Sequence, residues 1–123
     1  MKVLLSIKPE YAFKIFEGKK KFEFRKSIFK QRGVKRVDVY ASSPIKQVIG
    51  EFEIEEIISM PPGLLWNQTK EYSGISKELF FEYFAERTVG HAIKIKSTRK
   101  YRKPLCLKEH FNLTPPQSYM YLA

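Results

Sequence analysis

The segment Gly18–Lys19–Lys20–Lys21–Phe22–Glu23–Phe24–Arg25 concentrates the residue types that could do chemistry. A glycine stops a helix, a lysine follows two residues later, and an alternating strand begins. Alternation over Lys21–Arg25 puts Phe22 and Phe24 on one face and Lys21, Glu23 and Arg25 on the other. An acid and several cations then share one small surface, which is where proton affinities shift. Lys20 and Glu23 are therefore the candidates for acid–base work. The same spacing also describes a plain Glu–Arg pair beside a solvated lysine at a sheet rim.

Other chemistries lack their residues. His91, His110, Cys106 and the single aspartate, Asp38, have no metal-ligand spacing, so no metal is expected, and no cofactor either. The glycines are scattered, with no phosphate-cradling loop and no nucleophile elbow. Cys106, between Leu105 and Leu107, reads as a buried thiol rather than a nucleophile.

The elements that must hold this segment are short and mixed. Val3–Ile7 reads as a buried strand. Pro9 opens a helix over Glu10–Glu17 that Gly18 ends. Ile28–Lys35 reads as a loop, and Arg36–Ala41 as a strand closed by Ser42–Ser43–Pro44. Gln47–Ile58 is the longest strand signal, with Val48, Gly50, Phe52 and Ile54 on one side and Ile49, Glu51, Glu53 and Glu55 on the other. Gly50 inside it marks a bulge or a close backbone approach. Leu64–Thr69 is a short helix, and Ser76–Glu86 a second, with Ser76 as N-cap and Ile75 stapled onto Phe80. Gly90–Ile95, Tyr101–Leu107 and a terminal Ser118–Leu122 read as further strands. About six strands in an antiparallel or mixed sheet and about three helices make an α+β fold, with a sheet expected to curl into a barrel.

The chain has 123 residues and a formal net charge of +10, one domain's worth. Its 15% aromatic content excludes a wholly disordered chain. No run approaches the ~18 uncharged apolar residues of a membrane span, and the N-terminal apolar run is too short for a signal peptide. One cysteine suits a reducing compartment, so the expected location is the cytoplasm. Nine cations lie between Lys19 and Arg36: Lys19, Lys20, Lys21, Arg25, Lys26, Lys30, Arg32, Lys35 and Arg36. Six more lie between Lys94 and Lys103, including Arg99, Lys100, Arg102 and Lys103. Eight glutamates fall between Glu51 and Glu86. This segregation predicts a basic face for a polyanion and a glutamate-rich back, with exposed rings among Phe22, Phe24, Phe29 and Tyr101 free to stack on bases.

Gly18-x-Lys20-x-x-Glu23-x-Arg25, after a helix and opening a strand, resembles the signature of ASCH domains, relatives of the PUA RNA-binding domain. Leu4–Tyr11 and Pro115–Tyr119 resemble a subgroup of short, stand-alone ASCH proteins of bacteria, archaea and phages. The resemblance implies a PUA-like β-barrel flanked by helices, with a cleft at its mouth for RNA or a nucleotide-like ligand. It carries Lys20, Glu23 and Arg25 over as cleft residues. Lys8, Ser42 and Ser43 join them as strand-end residues able to approach the same mouth. Some ASCH proteins resemble amidohydrolases of acylated cytidine, which place a threonine two residues before the motif arginine. Here Glu23 stands there, which removes that hydroxyl. Glu78, Glu82 and Glu86 are all conceivable as a partner carboxylate.

Three functions follow. The first is binding of single-stranded or looped RNA, since no helix-turn-helix or basic-helix signature points to duplex DNA. The second is hydrolysis of a modified nucleoside or of RNA in the same cleft, with Lys20 or Glu23 as acid or base. The third is a regulatory protein whose glutamate-rich side contacts another protein.

Overall fold

Two long antiparallel strands organise the molecule. The computed structural model describes residues 1–122, in the order β1 (Lys2–Ile7), α1 (Pro9–Phe16), β2 (Phe22–Arg25), β3 (Arg36–Ala41), β4 (Gln47–Met60), α2 (Pro62–Thr69), α3 (Lys77–Tyr83), β5 (Gly90–Leu105), α4 (Leu107–Phe111) and β6 (Tyr119–Leu122). They form one mixed sheet of six strands, ordered β2-β5-β4-β3-β1-β6. β1 runs parallel to β3, and every other pair is antiparallel. The sheet curls into a half-barrel with β2 and β6 as its two edges.

Three apolar clusters fix the curl. On the α1 side, Val3, Leu5, Ile7, Val37, Val39, Phe52 and Ile93 pack against Ala12 and Ile15. Phe22, Phe24 and Ala92 pack against Leu65 of α2 and Phe80 and Phe84 of α3. Leu4, Tyr40 and Val48 pack against Leu107 of α4. Fully burying a side chain of this size stabilises by about 1.5–3 kcal/mol. No helix among the described residues is long and apolar enough to cross a membrane.

The structure redraws several sequence readings. The strands expected at Gly90–Ile95 and Tyr101–Leu107 are one 16-residue strand, β5. Its cation-rich middle resembles a loop in sequence but pairs with β4 from Lys94 to Lys100. β5 ends at Leu105, and Leu107 instead opens α4, a helix with no predicted counterpart, which closes on Asn112 in the left-handed region at φ 53°. The predicted alternation in β4 also breaks. The register shifts between Val48 and Gly50 against both β3 and β5, so Val48 joins the α4 cluster while Ile49 sits with Phe52 on the α1 side. The close approach expected at Gly50 is present: a Cβ there would meet Arg99 O at 2.6 Å and the Phe16 ring at 2.6 Å.

The charge map changes most. The sheet order places acidic β4 between β3, which opens on Arg36, and basic β5. Glu51 therefore lies within ion-pair distance of Arg36 at 3.3 Å, Arg99 at 3.5 Å and Lys2 at 4.0 Å. Lys94 meets Glu55 at 2.9 Å. Strand pairing thus interleaves the β4 glutamates with cations, while Glu71, Glu78, Glu82 and Glu86 stay exposed on and around α3 with no ion pair among the described residues.

Candidate nucleotide-binding cleft

A cleft of about 630 Å³ opens where the ends of β1, β2 and β3 meet α3 and the segment before β6. The sequence dictates how its side chains arrive. Gly18, at φ +78°, ends α1 with Lys19 and Lys20 backbone N–H groups returning to Lys14 O at 3.0 and 3.1 Å. That reversal points Lys20 inward, while Lys19 stays exposed beside Glu17. β2 then runs with Phe22 and Phe24 toward α2 and α3, and Glu23 and Arg25 toward the cleft.

Lys20 is 3% exposed. Its ammonium donates to Ser73 O at 2.8 Å and lies 4.5 Å from the Phe24 ring centroid and 5.5 Å from that of Tyr11. No carboxylate lies within ion-pair distance of it among the described residues. Burial lowers its pKa from 10.5 to about 8; Glu23 nearby works against that and Lys14 adds to it. Gly74 makes this placement sterically allowed. It sits at φ +66°, and a Cβ there would strike Lys20 Cβ at 2.5 Å and Cγ at 2.6 Å.

Arg25 is the structural clasp of the cleft. Nη1 donates to Glu23 Oε2 at 3.1 Å and to Ser6 O at 3.4 Å. Nη2 donates to Ser118 O at 3.0 Å and to Ser118 Oγ at 2.6 Å. Both terminal nitrogens are thereby committed inside the protein. Glu23 keeps Oε1 free of protein donors among the described residues, and that oxygen is not sealed away.

The expected site residues divide cleanly. Lys8, Lys20, Glu23, Arg25 and Ser42 all line the cleft. Ser43 does not: it lies exposed one residue further along the turn after β3. Of the three glutamates considered as partners, Glu82 lines the cleft, and Glu78 and Glu86 do not. Phe24 and seven residues without any sequence expectation as site residues, Ser6, Tyr11, Ile75, Leu79, Tyr83, Gln117 and Ser118, complete the lining. Burial raises the pKa of both tyrosines, so their phenols stay protonated at neutral pH.

Of the rings named for stacking, Phe24 alone reaches the cleft wall, against the Lys20 ammonium. Phe22, Phe24 and Phe29 are buried in the core, so side-chain alternation turned them away from solvent. Of the basic face, Lys21 lies over the Tyr72 ring and Lys26 over the Tyr83 ring, while Arg36 and Arg99 are paired with Glu51. Lys30, Arg32, Lys35, Lys100, Arg102 and Lys103 are exposed with no ion pair among the described residues. Lys100, Arg102 and Lys103 border a second groove, of about 640 Å³, floored by Glu51 and Tyr101.

The family model described as ASCH domain matches residues 5–104. The chain belongs to the ASCH domain family. This ASCH domain is 30% identical over 123 residues to an "ASCH domain-containing ribonuclease" of Zymomonas mobilis, covering 97% of this chain and 82% of the relative. The crystal structure of ASCH from Zymomonas mobilis superposes with a TM-score of 0.90 at 31% identity, covering 99% of this chain and 87% of that one. The α+β, PUA-like architecture implied by the motif is thus the observed one. The domain is also 30% identical over 120 residues to "Large ribosomal subunit protein uL22" of Ureaplasma parvum, covering 98% of this chain. It spans 39% of that relative's length.

Proposed function

We propose that this ASCH domain binds single-stranded or looped RNA and holds one unstacked nucleotide in the cleft. The observation that carries this reading is Lys20, a buried ammonium facing a nucleotide-sized cleft without a carboxylate partner in reach. A buried cation left uncompensated costs stability, which is tolerated where a ligand completes it. The cleft volume lies within the range of ligand sites, and its two tyrosines offer flat walls to a base. Exposed Lys8 at the rim, and the unpaired cations of the 26–35 loop and of β5, would meet the phosphates that run on from the held nucleotide. The ribonuclease name of the Zymomonas relative agrees with an RNA ligand.

Crosslinking tests this. RNA recovered from cells by ultraviolet crosslinking should be abundant with the wild-type protein and largely lost with Lys20→Ala. Equal recovery from both would remove the cleft from the account.

A second reading is that the held RNA is also cut. It is favoured by the lowered proton affinity of Lys20, because a group with pKa about 8 can exchange protons near neutral pH. End-labelled RNA should then shorten with wild-type protein and survive intact with Lys20→Ala at saturating protein. RNA left whole by the wild type after long incubation would leave binding as the entire function.

A further inference from the structure

The inner end of the cleft is built from groups whose hydrogen-bonding capacity can be counted. Arg25 is spent: Glu23, Ser6 and Ser118 take the hydrogens of both terminal nitrogens. The motif arginine is therefore no phosphate clamp. It holds the Glu23 carboxylate in place through Oε2. Glu23 Oε1, and the remaining lone pairs of Oε2, face the cleft as fixed acceptors. Lys20 lines the same cleft, outside ion-pair distance of that carboxylate, with one hydrogen given to Ser73 O and donors left over. The inner end thus presents an acceptor pair next to a donor.

A phosphate pushed into this end would meet the Glu23 carboxylate. The Watson–Crick edge of a base suits it better. Cytosine and adenine offer one amino group beside an acceptor. Uracil offers one N–H between two carbonyls, one of which would face the carboxylate. Guanine offers two adjacent donors, N1–H and N2–H2, beside the O6 acceptor. A carboxylate can take both donors while an ammonium donates to O6, which pairs all three groups of that edge. Tyr11, Tyr83, Ile75 and the half-exposed Leu79 (47% exposed) supply the flat and apolar surfaces on which a purine ring can lie.

We propose that the cleft is a guanine site: it takes the base edge-first, with Glu23 reading N1–H and N2–H2 and Lys20 reading O6, and leaves the phosphates at the rim. This rests on the RNA-binding reading and names the nucleotide it selects.

The test uses short oligouridines carrying a single central G, C, A or U, with affinities measured by fluorescence anisotropy. The G oligomer should bind at least about tenfold more tightly than the other three, the value of one extra charge-assisted hydrogen bond. Glu23→Gln should bring that ratio toward one, the G oligomer losing more affinity than the other three. Because the series is run on the wild type, it decides the matter even if Glu23→Gln fails to fold. Equal affinity for all four oligomers, with binding intact, would overturn the guanine site and leave RNA binding standing. A second arm titrates free guanosine, followed by NMR at the cleft residues. Guanosine shifting those resonances while no oligomer binds would keep the guanine site and overturn the RNA reading. No response to guanosine and no preference among oligomers would overturn the proposal.

Discussion

The guanidinium of Arg25, at the end of edge strand β2, donates to both the carbonyl and the hydroxyl of Ser118, just before the opposite edge strand β6. The partners are 93 residues apart in sequence, and four strands lie between their two edges in the sheet order. The two edges of the half-barrel do not pair through their backbones, so this side chain ties them at the cleft mouth. One residue thereby links closure of the sheet to the orientation of Glu23.

Arg25→Ala should destabilise by about 3 kcal/mol or more, because it leaves buried Glu23 uncompensated and Ser118 unlinked. Arg25→Lys should recover little, since a single ammonium cannot serve four acceptors on three sides. Ser118→Ala removes one acceptor and keeps the backbone carbonyl, so about 1–2 kcal/mol is expected. Urea unfolding of the three variants checks this ranking, and a Ser118→Ala cost equal to that of Arg25→Ala would break it.

Lys20 should trade stability for binding. Lowering its pKa from 10.5 to about 8 corresponds to about 3 kcal/mol against the charged folded form. Below pH 8 both folded and unfolded chains carry the proton, and this cost is fully present. Between pH 8 and 10.5 the folded chain has released the proton while the unfolded chain keeps it, so stability rises with pH. Lys20→Met should therefore be more stable than the wild type near pH 7, by about 1–2 kcal/mol once the lost Ser73 hydrogen bond is counted. That advantage should shrink as pH climbs from 8 toward 10.5. Denaturation curves near pH 7 and near pH 10 measure it, and a constant difference would contradict the placement of the charge.

Two glycines separate backbone strain from crowding. Gly18, at φ +78°, has nothing within 4 Å of an added Cβ, so Gly18→Ala should cost about 1 kcal/mol and leave the cleft working. Gly74, at φ +66°, would drive its Cβ into the Lys20 stem, so Gly74→Ala should cost about 2 kcal/mol or more and weaken ligand binding too. Melting temperature and RNA affinity of both variants decide it; matched losses in the two would refute the crowding.

Cations already paired to glutamates should matter less than free ones. Replacing Lys100, Arg102 and Lys103 with glutamine should reduce the slope of log affinity against log salt by about 2, at about 0.7 per single-strand phosphate. Arg36→Gln should change it by less, because Arg36 already faces Glu51 and Glu53. A larger slope change from Arg36→Gln than from the triple variant would contradict this division.

Much of this architecture is legible in sequence, for local reasons. Gly18, Pro9 and the Ser76 N-cap mark helix ends by their own chemistry, and Ser76 Oγ does accept from Leu79 N at 3.2 Å. The Lys20, Glu23 and Arg25 constellation was visible because one helix stop and one strand create it. Strand order is a different matter, since it depends on contacts far apart in the chain. Two basic segments and an acidic one look segregated until β4 is laid between β3 and β5. Tyr11 and Tyr83 read as ordinary positions on amphipathic helices, and only the packing of α1 and α3 against the curled sheet turns them toward the cleft. Bulges do the same to β4, where a register shift reverses an alternation that is regular in sequence.

The affinity of Lys20→Met for single-stranded RNA at fixed salt, measured beside the wild type on folded protein, tests the role of the cleft. A variant that is more stable at neutral pH yet binds at least about tenfold more weakly is the predicted result. A variant that binds RNA as tightly as the wild type would contradict the assignment of the cleft.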